Sequence, residues 1–145
     1  MKTELVSFAV TPGMESEAEA WMRLLKERRA ECVATLDREK MRYESVFKSE
    51  HDGRMYLSWF SVQGEDFAPI EESPFEIDRL HIEYWDRCID PSVPPLIFEH
   101  VVSFAPDDVE SAVRGDLAAS PYGVSPLGPT VRRPVDFATH HECEN

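Results

Sequence analysis

EESPFEIDRLHIEYWDRCID, running from Glu71 to Asp90, holds a helix-start signal, an apolar stripe and a set of ionisable side chains in one stretch. Ser73, Pro74 and Glu76 read as an N-cap, a proline at the first helical position and a carboxylate at the third. Asp90-Pro91 marks the end, because proline drives the residue before it out of the α region. Between these limits Ile77, His81, Tyr84, Trp85 and Cys88 fall on one face at 3.6 residues per turn. A histidine therefore sits inside the stripe that must face the core, and a helix over Ser73 to Asp90 is expected.

Working outward, two β-rich runs precede this helix. Met41 to Glu50 and Met55 to Gln63 flank His51-Asp52-Gly53, and Asp-Gly between such runs is a strong hairpin signal. The second arm is apolar or small on both faces, which predicts a central strand. Thr3 to Val10 alternates as a strand with both faces partly covered, closed by Thr11-Pro12-Gly13. Met14 to Arg38 carries apolar residues at spacings of three and four and reads as one long helix. Its stripe is interrupted near Arg28, Arg29 and Cys32, where an arginine turned toward the sheet competes with a solvated one.

After the Ser73 to Asp90 helix, Leu96 to Phe104 alternates as a further strand, with Phe98, His100, Val102 and Phe104 on one side. Ala105-Pro106-Asp107-Asp108 then opens a short helix carrying Val109, Val113 and Leu117. The residues from Gly115 to Asn145 are rich in glycine and proline and read as an extended arm. The expected organisation is a domain over 1–105 followed by a short helix and arm over 106–145.

The element order is the split βαβ pattern of the ferredoxin-like fold, an α+β architecture with two helices on one face of a four-stranded antiparallel sheet. Two helices cover only one face, yet the strands place apolar side chains on both. Such a bare face exceeds what a soluble monomer tolerates, so a homodimer packed sheet to sheet is expected; the alternative is that the C-terminal arm folds back over it.

Composition narrows the partners. The net charge of −13 opposes nucleic acid and anionic membranes. No apolar run approaches the roughly 20 residues of a membrane span, and the N-terminus lacks a signal-peptide pattern, so a cytoplasmic protein is expected. Cys32, Cys88 and Cys143 are odd in number and lack a CxxC, which opposes a disulfide framework or structural zinc. His81 and Cys88 lie too far apart along a helix to share one ion, and no metal site is expected. Glycine-rich phosphate loops, GxSxG elbows and HExxH are absent from the sequence.

The stretches TLDREKMRYESVF (Thr35 to Phe47), YLSWFSVQGE (Tyr56 to Glu65) and EESPFEIDRLHIEYWDRCID resemble the small bacterial proteins of domain-of-unknown-function family 6176. The matching positions are Glu39, Met41, Glu44, Trp59, Gln63, Gly64, Asp78, His81, Tyr84, Trp85, Cys88 and Asp90. That family is similar to the dimeric α/β-barrel superfamily, which includes cofactor-free oxygenases, isomerising enzymes and cyclases. The resemblance implies a dimeric α/β barrel and a cofactor-independent enzyme acting on a small apolar or aromatic organic molecule.

Within that expectation His81 is the candidate proton-transfer residue, because imidazole titrates near neutrality. Asp78, one turn earlier, and Glu44, from the hairpin, are candidates to orient it. Arg29 is a candidate anion holder, and Trp59, Tyr84, Trp85 and His100 are candidate substrate contacts. The same residues also fit a packing histidine among packing aromatics, and a binding module or an interaction protein remains open beside the enzyme.

Overall fold

The computed structural model describes residues 2–38, 40–64 and 75–114. The tight turn at Asp52-Gly53 organises the sheet. Asp52 has φ 52° and Gly53 φ 71°, the paired left-handed conformation that matches the twist of a two-residue hairpin. It joins β2 (Met41–His51) to β3 (Arg54–Gln63). On the other side of β3 lies β1 (Lys2–Ala9), followed by β4 (Leu96–Phe98), giving the order β2-β3-β1-β4 with every pair antiparallel. The expected central strand is central.

The segment read as one helix is two. α1 (Glu15–Glu27) and α2 (Arg29–Arg38) are separated at Arg28, whose φ of −100° and ψ of 29° leave the helical region. The cause is tertiary. The half-buried Arg28 guanidinium pairs with Glu31 at 2.5 Å and reaches Glu76 of the next helix at 3.1 Å, so the chain bends to deliver it. Arg28, rather than Arg29, is the arginine held against the fold, while Arg29 is exposed.

α3 (Glu76–Cys88) carries Glu76 and Asp78 in its first turn, where carboxylates suit the helix dipole. The helix starts later than the expected cap at Ser73 implies: its N-cap is Phe75, in extended conformation, so Glu76 is its first residue rather than its third, and Ser73 and Pro74 themselves lie outside the described residues. Its far end docks directly on β1: the Thr11 N–H donates to the Cys88 carbonyl at 2.7 Å and the Asp90 N–H to the Ala9 carbonyl at 2.9 Å. α4 (Asp107–Arg114) follows Pro106 as expected, and Arg42 of β2 donates to the carbonyls of Ala112 and Val113 at 3.1 Å each. Those carbonyls, in the last turn, lack helical partners of their own. The expected arm from Gly115, with Leu117, and the acidic loop over 65–74 lie outside the described residues.

The strand expected over Leu96 to Phe104 is shorter, pairing with β1 only from Ser7↔Leu96 to Leu5↔Phe98. Alternation marks extended chain, but a strand also needs a neighbour, and residues 99–104 run on without pairing, with Val101 86% and Phe104 91% exposed.

The register assigns the faces. Val6 opposes Trp59 and Phe8 opposes Leu57, and all four belong to the core that α1 and α3 cover together with Trp21, Ala18 and Cys88. On the other face one row reads Phe47, Ser58, Ser7, Leu96 and the next Ser45, Phe60, Leu5, Phe98. Phe47, Leu96 and Phe98 are each half exposed or more. The described part is thus α+β, with four helices and an open four-stranded antiparallel sheet.

Candidate functional site

The helix-facing surface of the sheet changes character along the strands. Toward the hairpin it is apolar, with Val46, Met55, Leu57 and Phe8. Toward the opposite end the same face carries Glu44 opposite Ser61 and Ser61 opposite Glu4, with Gln63 at the last rung. Ser61 and Gln63 are buried, and Gln63 Nε2 donates to Glu4 Oε2 at 3.2 Å. Buried polar side chains in such a floor require partners, and this end of the layer is polar by composition of the strands themselves.

Over the boundary between the two halves stands His81. Its ring lies 5.0 Å from Trp21 and 6.2 Å from Trp59, centroid to centroid. Trp85 lies against Phe8 at 4.6 Å and Trp59 at 5.2 Å, and Tyr84 stacks parallel to Trp21 at 6.2 Å. Tyr84 in turn carries the Arg87 guanidinium 4.5 Å above its ring, a cation–π arrangement. The fully buried Trp21 indole donates from Nε1 to His81 Nδ1 at 3.3 Å. That bond fixes the tautomer: with Nδ1 accepting, the proton of the neutral ring is on Nε2. His81 therefore presents an N–H donor from Nε2, and a second proton on Nδ1 would face the indole N–H.

One turn before His81, Asp78 enters a second cluster. Burial pushes the half-buried Cys32 thiol of α2 above its ordinary pKa, and the charges of Asp78 and Glu44 push it further in the same direction. Two carboxylates from α3 and β2 thus converge electrostatically on one thiol of α2. That environment makes Cys32 a poor thiolate. Cys88, fully buried, is likewise pushed up, chiefly by burial.

The structure brings His81, Trp59, Tyr84 and Trp85 into one ring cluster with Trp21, and the charges of Asp78 and Glu44 both act on the Cys32 thiol. It does not bring Arg29 or His100 there. Arg29 lines a cleft between α1 and the hairpin. His100 lies beyond β4, exposed, with Nε2 2.8 Å from Ser103 Oγ. Sequence reasoning assigned no site role to Trp21 or Cys32. An indole has no periodic signature that separates a donor from a packing ring, and the neighbours of Cys32 come from two other elements. Among the described residues no group of three or more His, Cys, Asp and Glu side chains is placed to hold a metal ion.

A family model described as a family of unknown function, DUF6176, matches residues 1–111, which include every described element except the end of α4. The chain belongs to that family. No curated protein and no solved structure matches. Membership therefore brings no reaction with it, and the chemistry has to be argued from this chain's own residues. Among the described residues no helix is long and apolar enough to cross a membrane.

Proposed function

We propose that the chain is a small cofactor-independent enzyme of the ferredoxin-like, dimeric α/β-barrel type, acting by proton transfer on a small apolar or aromatic organic molecule. The observation that carries this reading is His81, held through Nδ1 by the buried Trp21 indole beside Trp59 and Trp85, with Asp78 one helical turn before it and Glu44 on the helix-facing surface of the sheet that also carries Trp59. A carboxylate is the proton acceptor, the Nε2–H of His81 hydrogen-bonds the oxygen on which charge develops, and Trp59 with its neighbouring rings walls the apolar side. A neutral imidazole serves in that role as a donor without itself giving up its proton. The expectation of His81 as acid or base narrows accordingly to charge stabilisation, with the acid/base work at Asp78 and Glu44. The class of reaction is deprotonation beside a carbonyl, as in cyclisation or isomerisation.

The fold-level part of the reading is supported by the strand order, which is that of a split βαβ unit, and by the exposed apolar side chains Phe47, Leu96 and Phe98 on the sheet face opposite α1 and α3. A second copy packed there completes a homodimer.

The test is carbon-acid exchange. A panel of 1,3-dicarbonyl and aryl ketone compounds is incubated with the protein in D2O and C–H loss is followed by NMR. One class should exchange faster, with the acceleration falling at least about 100-fold in Glu44→Gln or Asp78→Asn. Exchange that is equal in wild type and both variants overturns the proposal. A non-catalytic binding module is the second reading, favoured by the use of His81 Nδ1 to hold a buried indole; it predicts ligand-induced thermal stabilisation with no exchange and no product.

A further inference from the structure

We infer that the cleft between α1 and the β2–β3 hairpin is a binding site for an amphiphilic monoanion, in chemical class a medium-chain carboxylate. It lies against α1, the first residue of α2, β2 and β3 with no lining residue from α3, so it does not include the His81 ring cluster and does not depend on the reaction proposed there. The cleft is half open and holds about 570 Å³, within the range of small-ligand sites. Its floor is Ala18, Met22, Leu25, Val46, Met55 and Leu57. Its rim carries Arg23, Lys26, Arg29 and Lys48, with Glu19 as the single carboxylate among the lining residues.

That rim runs against the rest of the molecule, where 28 acidic residues outnumber 15 basic ones. Glu19 is already held by Lys48 at 2.9 Å, while Lys26 and Arg29 make no ion pair among the described residues. An apolar floor of six side chains gives an inorganic anion or a polyphosphate no use for most of the volume. With Lys48 paired to Glu19, three cations remain around it, which favours an anion over a neutral ligand and opposes a cation. A short alkyl or aryl chain ending in one carboxylate satisfies both, its chain on the two flexible methionines and its head between Lys26 and Arg29.

The experiment is an amide NMR titration of the full chain with sodium octanoate, with 1-octanol as the uncharged comparator, at low and high salt. Octanoate should saturate a single site and shift amides of α1 and of the hairpin from Val46 to Leu57. Octanol should bind at least about tenfold more weakly, and salt should weaken octanoate alone. Lys26→Glu with Arg29→Glu, both at exposed positions, should cost octanoate about tenfold or more and leave octanol unchanged. Equal binding of octanoate and octanol overturns the inference, as does no saturation at millimolar ligand or shifts confined to the open sheet face. So does finding the cleft already filled, by a second copy or by residues 115–145, through contacts to Met22 and Met55 in the unliganded protein.

Discussion

Trp21 and His81, sixty residues apart in sequence, are joined by one hydrogen bond, indole Nε1 to imidazole Nδ1 at 3.3 Å, in which the donor belongs to a fully buried side chain. The bond ties α1 to α3 and decides which nitrogen of His81 faces the rest of the site. It also lets structure and chemistry be separated by mutation. His81→Leu strands a buried indole N–H and should lower stability by about 1–3 kcal/mol. His81→Gln offers a carbonyl to the same N–H and should lose less. Chemical denaturation of the two variants, with ¹⁵N shifts of the wild-type imidazole reporting a proton on Nε2, checks both points. If activity is found and falls alike in both variants while stability does not, His81 does more than hold Trp21.

The hairpin turn gives a backbone prediction free of packing. A Cβ at Gly53 would meet nothing within 4 Å, yet its φ is 71°. Gly53→Ala should therefore destabilise through the left-handed conformation alone, by about 1–2 kcal/mol. Replacing Asp52, also at positive φ, by glycine should relieve strain of the same kind. Urea unfolding of the two variants should move in opposite directions with unchanged slope.

Asp90 predicts the acid limb. Hydrogen bonds from Ser92, first its hydroxyl at 2.6 Å and then its backbone N–H at 2.9 Å, hold the carboxyl below its ordinary pKa, and Arg54 adds to this. Arg54 also donates from Nε to the Val10 carbonyl at 3.3 Å, so the junction ties the hairpin to the end of α3. A depressed folded-state pKa means stability present above the ordinary carboxylate pKa and lost as pH falls through the folded value. Thermal melts should show a lower Tm from roughly pH 4 downward. Asp90→Asn should lower Tm at neutral pH and flatten that acid limb, and Ser92→Ala should reproduce more of the effect than Arg54→Gln.

What the sequence disclosed follows a physical line. Local chemistry was legible: Asp52-Gly53 demanded a turn, alternation marked β1, β-rich composition on either side of the turn marked β2 and β3, and the helical face of Ile77, His81, Tyr84, Trp85 and Cys88 could be read off its spacing. Tertiary chemistry was not. Nothing in Glu27-Arg28-Arg29 breaks a helix by propensity; the break answers to Glu76, on α3. The alternation after Phe98 signals extended chain, but no residue pattern says where the pairing with β1 stops. Cys32 was passed over as an interruption in a stripe, because the carboxylates that single it out arrive from β2 and α3 only once the chain is folded.

The sheet face opposite α1 and α3 bears on assembly. Phe47 and Leu96 end one cross-strand row whose middle is Ser58 and Ser7, joined hydroxyl to hydroxyl at 2.8 Å. On the proposed homodimer, light scattering should report twice the 16.6 kDa chain mass. Phe47→Lys with Phe98→Lys, both at exposed positions of the single chain, should give a monomer with unchanged far-UV circular dichroism. A wild-type protein at the single-chain mass would remove the homodimer from the reading and leave the fold standing.

The electrostatic setting of Cys32 tests the candidate site without a substrate. Its thiol is raised by burial first, by Asp78 second and by Glu44 third. Alkylation requires the thiolate, so at mildly alkaline pH Cys32 should react more slowly than an exposed model thiol. Removing a neighbouring negative charge lowers the thiol pKa and enlarges the thiolate fraction. Asp78→Asn should therefore speed alkylation a few-fold and Glu44→Gln somewhat less, read by mass spectrometry that resolves the three cysteines. Burial remains in both variants, so neither should reach the model rate, and Cys88, fully buried, should change in neither. The same raised pKa makes the folded state favour the protonated thiol, so the thiol's contribution is intact below its ordinary pKa and declines as pH rises through the folded one. An unchanged Cys32 rate in both variants would mean that neither charge acts on the thiol, and the assignment of Asp78 and Glu44 as neighbouring proton acceptors would lose that support.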